Sequence, residues 1–137
     1  MANLRQFAAQ MTQLSRTVEE NIDKTVRKCA LAVDSTVVLA TPVDTGRARA
    51  NWQVELNKPK TGTTTAVSPS GRESIDAAKV RIAQYKGNVP NASIHITNNL
   101  PYIERLNNGW SKQAPAGYVE KAVMVGIAAI QNARIVP

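Results

Sequence analysis

The chain has one cysteine and one histidine in 137 residues. A lone cysteine excludes an intrachain disulfide, which fits a reducing cytoplasm. One histidine and one cysteine cannot assemble a nitrogen–sulfur metal site. His95 sits on the polar side of a strand pattern with no partner to activate it as a base. Aromatic residues make up only 4%, so the core is aliphatic and each tryptophan or tyrosine stands out. Long apolar runs are also missing. The longest, Ala122 to Ile130, is nine residues, against the ~20 that a membrane-spanning helix needs. The first residues lack the charged-then-apolar layout of a secretion signal. No glycine-rich phosphate loop and no serine nucleophile elbow occurs. No catalytic residue, cofactor site, metal site or membrane contact is expected.

What is present suits a globular protein. Hydrophobic residues make up 43%, and the length fits one domain, residues 1–137, able to bury roughly two-thirds of its surface. The net charge of +7 comes from 17 basic and 10 acidic residues. It is spread along the whole chain with no polybasic block, which allows a weak general attraction to DNA or acidic partners without marking a reading surface.

Apolar residues at 4, 7, 11, 14, 18, 22, 26, 29, 33 and 37 mark one continuous helix from about Asn3 to Ala40. At ~1.5 Å per residue it is a rod of roughly 55 Å. Phe7, Val18 and Cys29 recur every eleven residues, as do Met11, Ile22 and Val33. That period is close to a straight helix and does not ask for a left-handed coiled coil. The half from Cys29 to Ala40 has few polar interruptions and is expected to pack on the sheet. Residues 1–20 are expected to project as an arm whose apolar stripe, Leu4, Phe7, Met11 and Leu14, needs a partner surface; a C-terminal half folding back over it is the alternative.

Thr41 to Trp52, TPVDTGRARANW, is the corner that follows. Pro42 pushes the residue before it out of the helical region. Asp44 and Gly46 supply turn chemistry, a side-chain acceptor followed by a residue free to take positive φ. The triplet Asp44-Thr45-Gly46 also occurs in aspartic proteases, but that chemistry needs two carboxylates sharing a proton, and the chain has no second copy. From Arg47 the chain alternates, with Ala48, Ala50, Trp52, Val54 and Leu56 on one side, the period of a half-buried strand. Arg47 and Arg49 then share its other face, able to touch phosphates or a neighbouring subunit. Pro42, Asp44, Gly46 and Trp52 form the structural joint.

Residues 57–71 read as a flexible loop, with Lys58 and Lys60 near its start and a short return strand over Thr63 to Val67. Ser70 and Glu73 suggest a capping box opening a helix over about Arg72 to Lys86. Ala92, Ile94 and Ile96 alternate as a second strand. A short helical turn follows Pro101, Asn108-Gly109 marks a turn, and a last helix runs from Pro115 to about Ala133. Gly126 lies inside that helix, where a missing side chain lets another element come close. Trp52 and Tyr102 are expected in the core; Trp110, with Gln113 in the same loop, is expected at an interface. The fold class is α+β: a long N-terminal helix on a small, mostly antiparallel sheet, with two or three shorter helices.

Two blocks carry a family resemblance. TPVDTGRARANWQV (Thr41 to Val54) and ITNNLPYIERLNNGWSKQAPAGYV (Ile96 to Val119) resemble the signature of the tailed-bacteriophage tail-component family. Its members are also described as neck or tail-completion proteins of the head–tail junction. The resemblance implies a virion structural protein, made in the host cytoplasm and forming a homo-oligomeric ring that joins the DNA-filled head to the tail. Its partners would be adjacent head-side connector or adaptor proteins and tail proteins, with genomic DNA passing nearby in the lumen. A tail-terminator or head-stopper ring is the near alternative. A small basic DNA-binding protein is the alternative from another class.

Overall fold

A computed structural model describes residues 3–137. Helix α1 (Leu4–Ala40) is followed by the one-turn helix α2 (Arg47–Ala50) and strand β1 (Gln53–Leu56). Then come α3 (Arg72–Ala83), β2 (Ile94–Thr97), α4 (Ile103–Asn107) and α5 (Tyr118–Ala129). The class is α+β, as the sequence predicts.

α1 is one unbroken helix of 37 residues. Its start is a reciprocal cap: the Gln6 amide donates to Asn3 Oδ1 at 2.9 Å and the Asn3 amide donates to Gln6 Oε1 at 3.2 Å. At its other end Thr41 leaves the helix in extended conformation ahead of Pro42. From Asn3 to Arg16 every residue is exposed. Burial grows towards the C-terminal half, where Ala30, Asp34, Val37 and Val38 are enclosed.

β1 and β2 form a two-stranded antiparallel sheet with Val54 opposite Ile96 and Leu56 opposite Ile94. Val54, Ile94 and Ile96 share the apolar face, because alternate residues of a strand point the same way. Val54 and Ile94 pack on Ala30, Ala78 and Ile82. Ile96 packs on a second cluster of Val37, Val38, Trp52, Ala114, Tyr118 and Ala122. α1 therefore meets the sheet, yet its broadest partners are α5 and α3. A two-stranded sheet offers too little apolar area to cover a long helix, and the helices supply the remainder.

α5 runs antiparallel to α1. Tyr118 packs with Val37 and Val38, Gly126 lies against Cys29 and Val33, and the Asn21 amide donates to the Ile135 carbonyl at 2.8 Å. A β-carbon at Gly126 would collide with the Val33 side chain and sit 3.1 Å from the Cys29 carbonyl oxygen. The glycine inside this helix is thus a contact point between two backbones.

Three details differ from the sequence pattern. Arg47 to Ala50 is helical, so β1 begins at Gln53, and the alternation there belongs to one helical turn. Thr63 to Val67 is not a strand; side chains satisfy its backbone instead. α3 is capped by Gly71 at φ 80°, while Glu73 accepts from the Ser68 hydroxyl at 2.6 Å instead of closing a box with Ser70.

Asp34 is the one wholly buried carboxylate, and neither of its oxygens has a hydrogen-bond partner within the protein. Burial pushes its pKa up from 3.8 to about 7, since a low-dielectric interior disfavours the charged form. The folded state therefore holds the proton more tightly than the unfolded chain. This contribution to stability is full below the unfolded value, 3.8, and is lost as pH rises through about 7. Between pH 5 and pH 8 the loss is about 3 kcal/mol at ~1.4 kcal/mol per unit. Asp34→Asn removes that slope. Denaturant midpoints of the two proteins are expected to shift in favour of the variant as pH rises from 5 to 8; parallel pH profiles would contradict a buried, titrating Asp34.

Candidate functional site

The corner from Thr41 to Trp52 is held by side chains that reach back to the backbone. The Thr41 hydroxyl donates to the Val37 carbonyl at 2.6 Å and accepts from the Trp52 indole Nε1 at 2.8 Å. Both residues are buried. One hydroxyl thus closes the end of α1 and fixes the indole that starts the sheet side of the core. Pro42 is buried beside it, and Asp44 is exposed.

Gly46 takes φ 91° and caps α2. A β-carbon there would be 2.7 Å from Pro69 Cα, and the Ser68 amide donates to the Gly46 carbonyl at 2.9 Å. The position requires glycine on two counts, its left-handed backbone and the chain crossing over it.

Arg47 and Arg49 are engaged inside the molecule. Arg49 donates to three carbonyls: Thr41 at 3.0 Å, Leu39 at 2.9 Å and Pro69 at 2.8 Å. Two of these lie at the C-terminal end of α1, where unpaired carbonyls and the helix dipole favour a cation. Arg47 donates to the Thr64 carbonyl at 3.2 Å. Asn51, fully buried, donates to the Arg47 carbonyl at 2.8 Å and the Thr64 carbonyl at 3.0 Å, and accepts from the Thr64 amide at 2.9 Å. The stretch after β1 is therefore tied down at Thr64. Asn99 also donates to the Lys60 and Gly62 carbonyls at 2.9 and 3.0 Å. The side chains of Lys58 and Lys60 are exposed.

Gln113 makes a two-point clasp on Val43, accepting from its amide and donating to its carbonyl, each at 2.8 Å. The loop before α5 is thereby strapped to the corner after α1, which joins the two sequence blocks in space. Trp110 in the same loop is 72% exposed, with the Arg105 guanidinium 5.2 Å from its ring centre. Tyr102, expected in the core, is 37% exposed; it lines a shallow groove with Val43, Asp44, Leu106 and Gln113. Trp52 occupies the core instead.

The exposed apolar residues concentrate in two places. Leu4, Phe7, Met11 and Leu14 lie along the free end of α1, and Val123, Met124, Val125 and Ile127 along the outside of α5. The first group was legible from periodicity. The second was not, because a continuous apolar run reads as a buried helix. Among the described residues, no group of three or more His, Cys, Asp or Glu is arranged to hold a metal ion, and no helix is long and apolar enough to cross a membrane.

Polar groups consumed internally and apolar groups displayed on two helices describe a subunit shaped to meet other proteins. The model of the HK97-gp10-like family, bacteriophage HK97-gp10 tail components, matches residues 5–121. The chain belongs to that family, and so to the tail components of the virion. No curated protein and no solved structure matches it.

The corner makes a specific demand on Thr41. Thr41→Val keeps the shape but leaves the buried Trp52 indole N–H without an acceptor, at a cost of about 1–3 kcal/mol. A denaturation midpoint equal to that of the wild type would show that the indole bond does not hold the corner.

Proposed function

We propose that this protein is a structural component of the phage neck, forming a ring of identical copies that joins the DNA-filled head to the tail in a connector or tail-completion role. The observation that carries this reading, beyond family membership, is the free end of α1. From Asn3 to Arg16 it is a capped helix with a regular apolar stripe and no covering element. An isolated helical segment of that length is marginal in water, and such a stripe is stable in an assembly that covers it. The corner sets the direction in which the rod leaves the body, so it also sets where each copy meets its neighbour.

In a cyclic ring the contacts are heterologous, one patch meeting a different patch on the next copy. Leu4, Phe7, Met11 and Leu14 belong to such a contact. Exposed Trp110, stacked under Arg105, is a second contact point, since large aromatics dominate interface energies. Arg47, Arg49 and Gln113 support the interface from behind by fixing the loops that present it. Lys58 to Ser70 is the segment that meets an adjoining ring, with Lys58 and Lys60 as its free charges, close to passing DNA or to acidic groups of the neighbour. The role is structural and not catalytic, without a cofactor.

Hydrogen exchange of the free subunit and of the purified virion tests this reading. Amides of residues 4–16 and of the Lys58–Ser70 segment are expected to exchange more slowly in the particle. Equal protection in both states would sink the assignment of these segments to contacts. Trp110→Ala is expected to lower incorporation into particles with a change in melting temperature of no more than a few degrees; lost stability with normal incorporation would reverse that assignment.

A further inference from the structure

α5 is apolar on nearly every side. Within Tyr118–Ala129 only Glu120 and Lys121 are charged. A helix of that composition is ordinarily enclosed all round. Here only one stripe is enclosed: Tyr118, Ala122 and Gly126 are buried, while Val123, Met124, Val125 and Ile127 are between 45% and 68% exposed.

The second bare surface lies on α1 and is the continuation of a stripe that α5 already uses. At Cys29 and Val33 that stripe receives Gly126 of the same chain. Past Asn21, where the Ile135 carbonyl is bound, the covering chain ends and the stripe runs on uncovered through Leu14, Met11, Phe7 and Leu4. One face of α1 is thus occupied by α5 along its C-terminal half and empty along its N-terminal half.

We infer that the free end of α1 of one copy packs on the outer face of α5 of the next copy. This contact rests on the ring reading above and names the two faces that meet. Three observations select it. The faces match in length: Leu4 to Leu14 spans about 15 Å and Val119 to Ile130 about 16 Å at ~1.5 Å per residue. Their charges are complementary. From Asn3 to Val18 the helix carries Arg5 and Arg16 and no carboxylate. The α5 face is bordered by Glu120, whose two oxygens are held by the Asn107 amide at 3.0 and 3.1 Å, with Glu104 also exposed nearby on α4. Finally, this pairing covers both apolar surfaces with one contact. Free ends of α1 pairing with each other would leave α5 bare, and α5 pairing with α5 would leave α1 bare.

The area explains why the contact belongs to a closed assembly. Two helices touching over about three turns bury less than the ~800 Å² per partner of a typical stable complex. A single pair is weak. Each copy, however, both gives a helix end and receives one, so copies add until the circle closes. The closing contact is intramolecular and gains from a high effective concentration.

The test uses two variants of the full chain, each changed only at exposed residues. One carries Phe7→Glu and Met11→Glu, which spoil the helix end. The other carries Met124→Glu and Ile127→Glu, which spoil the receiving face. Circular dichroism confirms that both fold, and light scattering gives their masses. The wild type is expected to be oligomeric at high concentration, and each variant alone monomeric. An equal mixture is expected to give a heterodimer, because one good helix end meets one good receiving face and no ring can close. A monomeric wild type, a monomeric mixture, or a receiving-face variant that still forms dimers by itself would overturn the contact; the last result would mean that helix ends pair with each other. The ring reading is scored separately, by where the wild-type protein sits in purified virions, so the two fail independently.

Discussion

The structure depends on the hydrogen bond from the Trp52 indole to the Thr41 hydroxyl, 2.8 Å long and buried. Thr41 ends α1, and Trp52 stands immediately before β1. Joining them fixes the angle between a helix of 37 residues and everything that follows. The bond could not do this alone. Arg49 ties the last carbonyls of α1 to Pro69, Gly46 lets residues 68 and 69 cross directly over the turn, and Gln113 straps the loop before α5 to Val43. Every one of these contacts reaches a backbone group, so the geometry is set by the chain path and little by side-chain volume. An exposed helix end is useful in assembly only if its direction is fixed, and this corner fixes it.

The same economy explains the distribution of charge. The arginines of the corner satisfy carbonyls inside the molecule, and that leaves the positive charge of the surface to lysines on loops and to Arg5 and Arg16 on the free helix. Asp34 runs against this pattern. A wholly buried carboxyl without a partner is tolerated because it can remain protonated, at a cost that grows with pH. The surrounding contacts of α1 with α5, α3 and the sheet bear that cost.

Much of the architecture was legible because it rests on strong periodic signals. Ten apolar positions spaced by three and four gave α1 almost to the residue, since helical periodicity over ten turns has no competing reading. Gly126 announced a close approach, because a glycine among apolar helix formers has few other reasons to be there. The second strand and the corner were legible for the same kind of reason. What failed was decided by interactions between distant residues. Arg47 to Ala50 alternates like a strand, yet Gly46 at φ 91° and the buried Asn51 amide turn it into a helical turn. Ser70 and Glu73 have the spacing of a capping box, but Ser68 is nearer to the carboxylate and takes it. Thr63 to Val67 has strand-forming residues and no strand edge to join. Asp34 read as a mere interruption in an apolar face, since nothing local reveals that three elements close over it. The bare side of α5 was hidden by its own composition: an all-apolar helix signals burial, and the partner that would bury it is not part of the same chain.

Membership of the phage tail-component family gives these features a purpose. A subunit with one apolar helix end, one apolar receiving face and a rigid corner between them has what a head-to-tail repeating assembly requires. Reconstruction of the head–tail junction from imaged virions is the most direct measurement of this account. It predicts a ring in which the free end of α1 of each copy lies along α5 of its neighbour. Density showing α1 residues 4–16 free in solvent, or α5 of every copy facing open solution, would contradict it.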